Sequence, residues 1–415
     1  MSKHPRFTHA TLLTLIAASP IASAVRAAPP SLTPILTPSG EVAGAYPSVI
    51  TGDGAIVFGT LASGGVFAWT ADNGSTSVPI LPGWSNIRLA GVSSNNSILV
   101  GTVETAGGER PVRWVNRVPE TLDTGGRPGR ALGVSADGTI IVGSIDIQGV
   151  ERAWFWGYGD PLGIDSGFWT TSRATDASAS GERIVGLFQS PQTGSDWQIF
   201  SLNRQAELQI IDLPTDTEWP PRPFYALGGA PVLVTDDGRS LLANLSCSST
   251  CVAPRAFKYT YETGAWSLLP STLYESTAGQ INASGSAAVG FMQFSRQDFR
   301  GAIWTTDTGW FEVAQFLVDH ALPRLNDPMF LGSISNDASL VPLYTGYGDE
   351  SRAYLLNLGS VCRADLDDDN DVDFGDYLLF VEAWATEQPL GDWNRNSVVD
   401  FFDYLEFVAD YDDQC

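Results

Sequence analysis

The sequence predicts an all-β seven-bladed β-propeller followed by a small α-helical module, and three observations carry that expectation. Residues 40–358 repeat one short phrase seven times, each copy built of strand-like segments and turn residues. A lone strand-like segment, Leu32–Thr37, precedes the first copy, while the seventh copy ends before any fourth strand. From Cys362 the composition turns sharply acidic and the apolar residues take up a helical period.

The first element is a segment with the features of a secretory signal. Lys3 and Arg6 open it, Thr11 to Ala22 form a short apolar core, and Ala22-Ser23-Ala24 offers a small-residue cleavage site. Residues 1–24 are therefore expected to be a signal peptide, with Val25-Arg26-Ala27 as a second possible cut. The apolar run is shorter than the roughly 20 residues that a membrane span needs. The expectation is a secreted protein, extracellular or cell-surface associated, with no transmembrane segment in the mature chain.

The propeller is expected over residues 29–360. The clearest copy of the phrase runs Ala131-Leu-Gly-Val-Ser-Ala-Asp-Gly-Thr-Ile-Ile-Val-Gly-Ser144, followed by Arg152-Ala-Trp-Phe-Trp156. An earlier copy runs from Ala90 to Gly101 and closes on Arg110-Pro-Val-Arg-Trp114. The turn pairs begin at Asp53, Asn95, Asp137, Ser180, Asp237, Ser284 and Asp337, with spacings of 42, 42, 43, 57, 47 and 53 residues. Asp-Gly before a β-branched run favours a tight hairpin. A third strand ends near Trp69, Trp114, Trp156, Phe200, Tyr259, Trp304 or Leu356, and segments such as Val78–Leu81, Glu207–Leu213 and Trp266–Leu269 supply a fourth. Four strands every 40 to 60 residues match a propeller blade, and no helical period appears in the region. Pairing Leu32–Thr37 with the seventh unit would seal the ring and remove its open edges.

The repeated phrase resembles the HAF repeat of extracellular bacterial proteins. The resemblance implies a secreted propeller-like domain and assigns no activity. Trp69, Trp114, Trp156 and Trp304 share one repeat position and are expected in the core. Arg110, Arg152, Arg255, Arg300 and Arg352 share another and are expected to form ion pairs or cap backbone. The insertions Asp212–Phe224 and Asn244–Ala256, with the off-position Trp84, Trp169 and Trp219, are the places where function could depart from architecture.

The C-terminal module, residues 362–415, holds sixteen acidic residues against two basic ones, within a chain of net charge −24. Asp365, Asp367, Asp369, Asp373 and Asp376 occupy positions 1, 3, 5, 9 and 12 of a twelve-residue loop, and Asp392, Asn394, Asn396, Asp400 and Asp403 repeat that spacing 27 residues later. Asp371 and Val398 stand at position 7, where a backbone carbonyl serves as a ligand. Two runs of hard oxygen donors at this spacing predict two bound Ca2+ ions. Each loop runs into an amphipathic segment, Tyr377-Phe380-Val381-Trp384 and Tyr404-Phe407-Val408-Tyr411, at i, i+3, i+4 and i+7.

Loop then helix, twice, resembles the dockerin module, and the flanking cysteines with Phe-Phe-Asp-Tyr-Leu resemble the GC-type dockerins of bacteria. The resemblance implies calcium-dependent tethering to a cohesin-like receptor protein. Asn370 and Ser397 stand where dockerin loops usually carry glycine. Phe374-Gly375 and Phe401-Phe402 replace the Ser-Thr pair with which cellulosomal dockerins commonly read their partner, so a different receptor is expected. The large apolar side chains of Phe374, Phe401 and Phe402 fit either a partner surface or the module's own core.

Four cysteines allow three disulfide pairings. The local choice joins Cys247 to Cys251 and leaves Cys362 with Cys415. A pI near 4.3 excludes nucleic acid as a partner for want of a basic stripe. Only His320 lies beyond the signal, and no nucleophile elbow, phosphate loop or zinc-protease motif occurs. The expected function is a non-enzymatic secreted propeller held by its calcium-dependent module, with carbohydrate as a possible ligand. The alternative is a dockerin-borne glycoside hydrolase acting on polysaccharide. It would need two carboxylates about 5 to 10 Å apart, and Glu41, Glu104, Glu109, Asp146, Glu151, Asp216, Glu218, Asp298 and Asp327 are the candidates.

Overall fold

Each copy of the repeated phrase folds into a short antiparallel meander, and the turn residues explain why. The protein's structure, a computed structural model, describes residues 29–157, 162–164, 169–192, 194, 196–214, 224–227, 229–247, 254–269, 275–295, 298–306, 308–325, 328–346, 348–359, 374–386 and 399–412. They belong to two units, one spanning Pro30–Leu358 and one containing the residues from Gly359 onward.

In the first unit the third repeat is representative. Its strands are Gly129–Val134, Ile141–Ile147, Val150–Trp156 and Leu162–Gly163, each antiparallel to the next. Between the first two strands Asp137 Oδ1 accepts hydrogen bonds from the Ser135 hydroxyl at 2.6 Å and the Thr139 amide at 2.9 Å, while Gly138 takes φ +75°. Thr51-Asp53, Ser93-Asn95, Thr235-Asp237 and Ser335-Asp337 repeat the hydroxyl-to-side-chain bond at 2.5–2.7 Å. The repeated hydroxyl-x-acid spacing is thus turn chemistry. It holds all four turn carboxylates below their ordinary pKa. At Asp53 the Thr51 hydroxyl is the largest cause; at Asp137, Asp237 and Asp337 burial opposes ionisation, and the hydroxyl and amide donors together outweigh it.

The described strands form five four-stranded antiparallel sheets and one of nine strands. In the nine-stranded sheet a single parallel pairing, Arg255 with Ser276, joins two successive repeats. The N-terminal strand Ser31–Ile35 pairs antiparallel with Arg352–Asn357, so the last repeat's sheet takes its outer strand from the start of the chain. Ile35 is buried there beside Ala45, Phe67 and Leu355.

Hydrogen bonds tie each turn to the next. Asn96 Nδ2 donates to Asp53 Oδ2 at 3.5 Å, Ser94 N to Ala136 O at 2.7 Å, and Asp137 N to Ala179 O at 2.9 Å. Ala179 N donates to Asp236 O at 2.9 Å and Asp236 N to Ala283 O at 2.8 Å. Asn282 Nδ2 reaches Asn336 O at 3.0 Å, and Asn336 N returns to Gly52 O at 2.8 Å. The collar closes on itself. Inside it the first strands of the repeats line a central cavity of about 140 Å³.

Apolar side chains fill the space between sheets. Trp69, Trp114, Trp156 and Trp304 are all buried, and Trp114 and Trp156 donate their indole N–H to Pro79 O and Asp123 O at 2.7 Å. Their shared position is a core position, as expected. Arg110 caps Gly126 O at 3.1 Å, Arg152 caps Trp169 O at 2.5 Å, and Arg300 pairs with Asp298 and Glu312. One expectation fails: the region does contain a helix, α1 (Val313–Asp319), which seats Val313 and Leu317 in the core. At seven residues it is too short for a helical period to stand out from the surrounding strands.

The second unit contains two described helices, α2 (Phe374–Ala385) and α3 (Phe401–Asp412). Phe380 and Phe407 are fully buried and stack at 3.9 Å with their planes 5° apart. Tyr377, Val381, Trp384, Tyr404, Val408 and Tyr411 pack around them, so the two stripes expected from the period face each other.

Candidate functional site

The acidic loops end on α2 and α3; of the expected ligand residues the structure describes Asp376 of the first loop and Asp400 and Asp403 of the second. Asp376 and Asp403 lie in the first turns of the two helices, and both are fully buried. Asp403 Oδ2 accepts the Asp400 amide at 2.8 Å, and Asp400 Oδ1 accepts the Phe402 amide at 2.8 Å, a reciprocal cap at the start of α3. Trp384 of α2 donates its indole N–H to Asp400 O at 2.7 Å, which fastens the second loop's end to the first loop's helix. The tyrosine hydroxyls at the centre of the repeat, Tyr377 and Tyr404, meet at 3.2 Å. That hydrogen bond, with burial, pushes the Tyr377 pKa up to about 12.

Asp365, Asp367, Asp369, Asp371 and Asp373 of the first loop, and Asp392, Asn394, Asn396 and Val398 of the second, lie outside the described residues. Among the described residues no cluster of three metal-binding side chains occurs. The fit to a cation rests on Asp376 and Asp403. A carboxylate removed from water needs a cation or several donors around it. Two acids wholly buried at equivalent places 27 residues apart suit a hard divalent ion. Ca2+ bound there would supply charge compensation and fix each loop against its helix.

Beside the buried acids stand exposed aromatics. Phe374, Phe401 and Phe402 are 63%, 60% and 66% exposed. Leu378 and Leu405, at equivalent places on α2 and α3, are exposed as well. Phe374 and Phe401 stack on Tyr377 and Tyr404 at 5.9 and 6.0 Å. None of the three phenylalanines belongs to the module's core.

In the first unit five of the nine candidate acids hold local hydrogen bonds with their carboxylates. Glu104 accepts from Asn86, Glu109 from Arg88 and Arg130, Asp146 from the Gly149 amide, Glu151 from the Ser144 hydroxyl, and Asp298 from Arg300. Glu41 donates its amide to Thr37 Oγ1 at 3.0 Å, while Asp216, Glu218 and Asp327 lie outside the described residues. Trp169 is buried and stacks on Phe188, and Trp84 packs edge-on against Trp114. Trp219 and the cysteines Cys251, Cys362 and Cys415 are outside the described residues, so the disulfide expectations are too; Cys247 closes the strand Ser240–Cys247. His320 caps α1, its Nδ1 lying 2.9 Å from Phe316 O.

One acid of note escaped sequence reasoning. Asp176 lines the central cavity at the position held by Val49, Gly91, Gly133, Leu233, Gln280 and Ser333 in the other repeats. Its carboxylate accepts the amides of Ala177 and Val234, each at 2.9 Å, and so reaches from one repeat to the next. Ser333 does the same for Ile50 at 2.8 Å. Burial pushes the Asp176 pKa up to about 7 against the pull of those amides, and the charge of Asp236 adds to the rise. The signal was an acid where two neighbouring repeats carry glycine.

No protein-family model matches the chain, and no curated protein matches it. Among solved structures it is similar to the oligogalacturonate lyase of Vibrio parahaemolyticus, at 10% identity and a TM-score of 0.53, over 81% of this chain and 98% of that one. It is similar to the β-propeller domain of Cps50 (Swd1) from Myceliophteria thermophila at 12% identity and a TM-score of 0.49, over 79% and 99%. TolB from Acinetobacter baumannii follows at 11% identity and 0.43, over 64% of this chain and 61% of that one. At such identities the likeness extends to fold alone. The first unit is a mostly β propeller, and a small helical part follows it.

Proposed function

We propose that this chain is a secreted, non-enzymatic, seven-bladed propeller, tethered by a calcium-dependent dockerin-like module to a cohesin-like receptor on the cell surface or in an extracellular assembly. The blade count is supported by seven turn residues in the collar and by the borrowed outer strand Ser31–Ile35. Two Ca2+ ions are assigned to Asp365–Asp376 and Asp392–Asp403. The single observation that carries the tethering role is the pairing, twice over, of a buried loop-end acid with exposed phenylalanine: Asp376 with Phe374, and Asp403 with Phe401 and Phe402. Large apolar groups kept in water beside a metal loop suit a surface that a partner covers once the ion has set its shape.

The test is capture of cell-surface proteins on the immobilised full chain in calcium or in chelator. Capture of one discrete partner in calcium, lost with chelator, with Asp403→Ala and with Phe401→Ser/Phe402→Ser, is the expected result. Capture indifferent to calcium, or undiminished by the double phenylalanine variant, would refute the tethering role.

A further inference from the structure

Arg88, Arg130 and Arg173 each stand seven residues before the turn residue of three successive repeats. Glu109 joins the first two, accepting from Arg88 with one oxygen and from Arg130 with the other at 2.5 Å. Its counterpart 42 residues later is Glu151, which by the same pattern would join Arg130 to Arg173. Glu151 instead accepts the Ser144 hydroxyl at 2.7 Å, and among the described residues Arg173 makes no ion pair. The Arg173 Nε is buried without a hydrogen-bond partner. Its guanidinium lies over the Trp197 ring at 4.7 Å. Burial presses its pKa down, Glu151 raises it, and the nearby Arg130 lowers it further.

A ring beneath a guanidinium occupies the flat face of the group. It leaves the N–H edge, where five donors lie in the plane, unused. A buried donor on that edge gains most from an acceptor that brings negative charge with it. Carboxylate geometry matches, because a side-on carboxylate takes Nε and one terminal nitrogen together. Glu109 supplies a carboxylate to the arginines of the preceding step. We propose that Arg173 anchors a binding site for a small organic carboxylate, with Trp197 holding the guanidinium flat. The site belongs to the propeller and stands independently of the calcium module.

The experiment titrates the full chain with sodium glucuronate by calorimetry, at constant ionic strength in chloride, with glucose as the uncharged control. The wild-type protein should bind one equivalent saturably and ignore glucose. Arg173→Gln should bind at least tenfold more weakly, and Arg113→Gln, which loses only the exposed pair with Glu120, should bind as the wild type does. Arg173→Lys preserves the charge but not the planar fork and should also lose at least tenfold, which covers the case of a poorly folded glutamine variant. Glu109→Gln frees Arg88 and Arg130 and should raise the stoichiometry from one to two. No saturable binding in the wild type, binding retained in both Arg173 variants, or a stoichiometry that stays at one in Glu109→Gln would overturn the proposal.

Discussion

Replacing Asp176 by Asn should make this propeller more stable at pH 8 and less stable at pH 4, with the crossover between. The unfolded carboxylate titrates near 3.9, whereas the folded one has been pushed up to about 7. Between those values the folded state holds a proton that the unfolded state has released, so stability falls as pH rises through the window. The three-unit difference is worth about 4 kcal/mol by pH 8, an upper bound because the carboxylate borders the central cavity. Asparagine removes that charge at every pH. It keeps one acceptor for the amides of Ala177 and Val234 and turns a donor toward the other, a mismatch of about 1–3 kcal/mol. The net gain is about 1–3 kcal/mol at pH 8, and the mismatch alone remains at pH 4. Urea unfolding of both proteins from pH 4 to pH 8 measures the difference. The turn acids Asp53, Asp137, Asp237 and Asp337 have depressed pKa values, so their stabilisation is lost as pH falls through those values, but it is lost equally in both proteins and cancels. A wild-type-minus-variant difference that is flat across the range would refute a raised pKa at Asp176.

Two further outcomes test the fold and the module. Phe407→Ser removes a fully buried ring stacked on Phe380, a loss of at least about 3–5 kcal/mol, and should abolish the module's near-ultraviolet circular dichroism; Phe402→Ser, at an exposed site, should stay within about 0.5 kcal/mol of wild type. Equal loss from both would return Phe402 to the core. A protein beginning at Ser39 lacks the strand that covers Arg352–Asn357, and light scattering should detect aggregation through that open edge; a monomer with unchanged melting would argue against closure by the N-terminal strand.

The sequence alone determined the strand order and the repeat, because turns are local events. A hydroxyl two residues before Asp137 and a glycine after it dictate a bend whatever surrounds them, and the same three features recur at Asp53 and Asp237. It determined equally that Tyr377, Phe380 and Trp384 share a helix face, since 3.6 residues per turn leave no choice. It also located an orphan strand at Leu32–Thr37, by the arithmetic of a missing partner, where the structure has Ser31–Ile35. The sequence missed α1, whose seven residues give too few turns for a period, and it could not decide whether Phe374 and Phe402 faced a core or water. That choice depends on whether Phe380 and Phe407 already fill the space between the helices. Nor could it show that Glu109 is held by two arginines while Glu151, its copy, turns to Ser144. Repeated residues have identical local preferences but unequal neighbours. The neighbours that leave Arg173 without an ion pair among the described residues and desolvate Asp176 come from other repeats, tens of residues away in the chain, and only the tertiary structure brings them together.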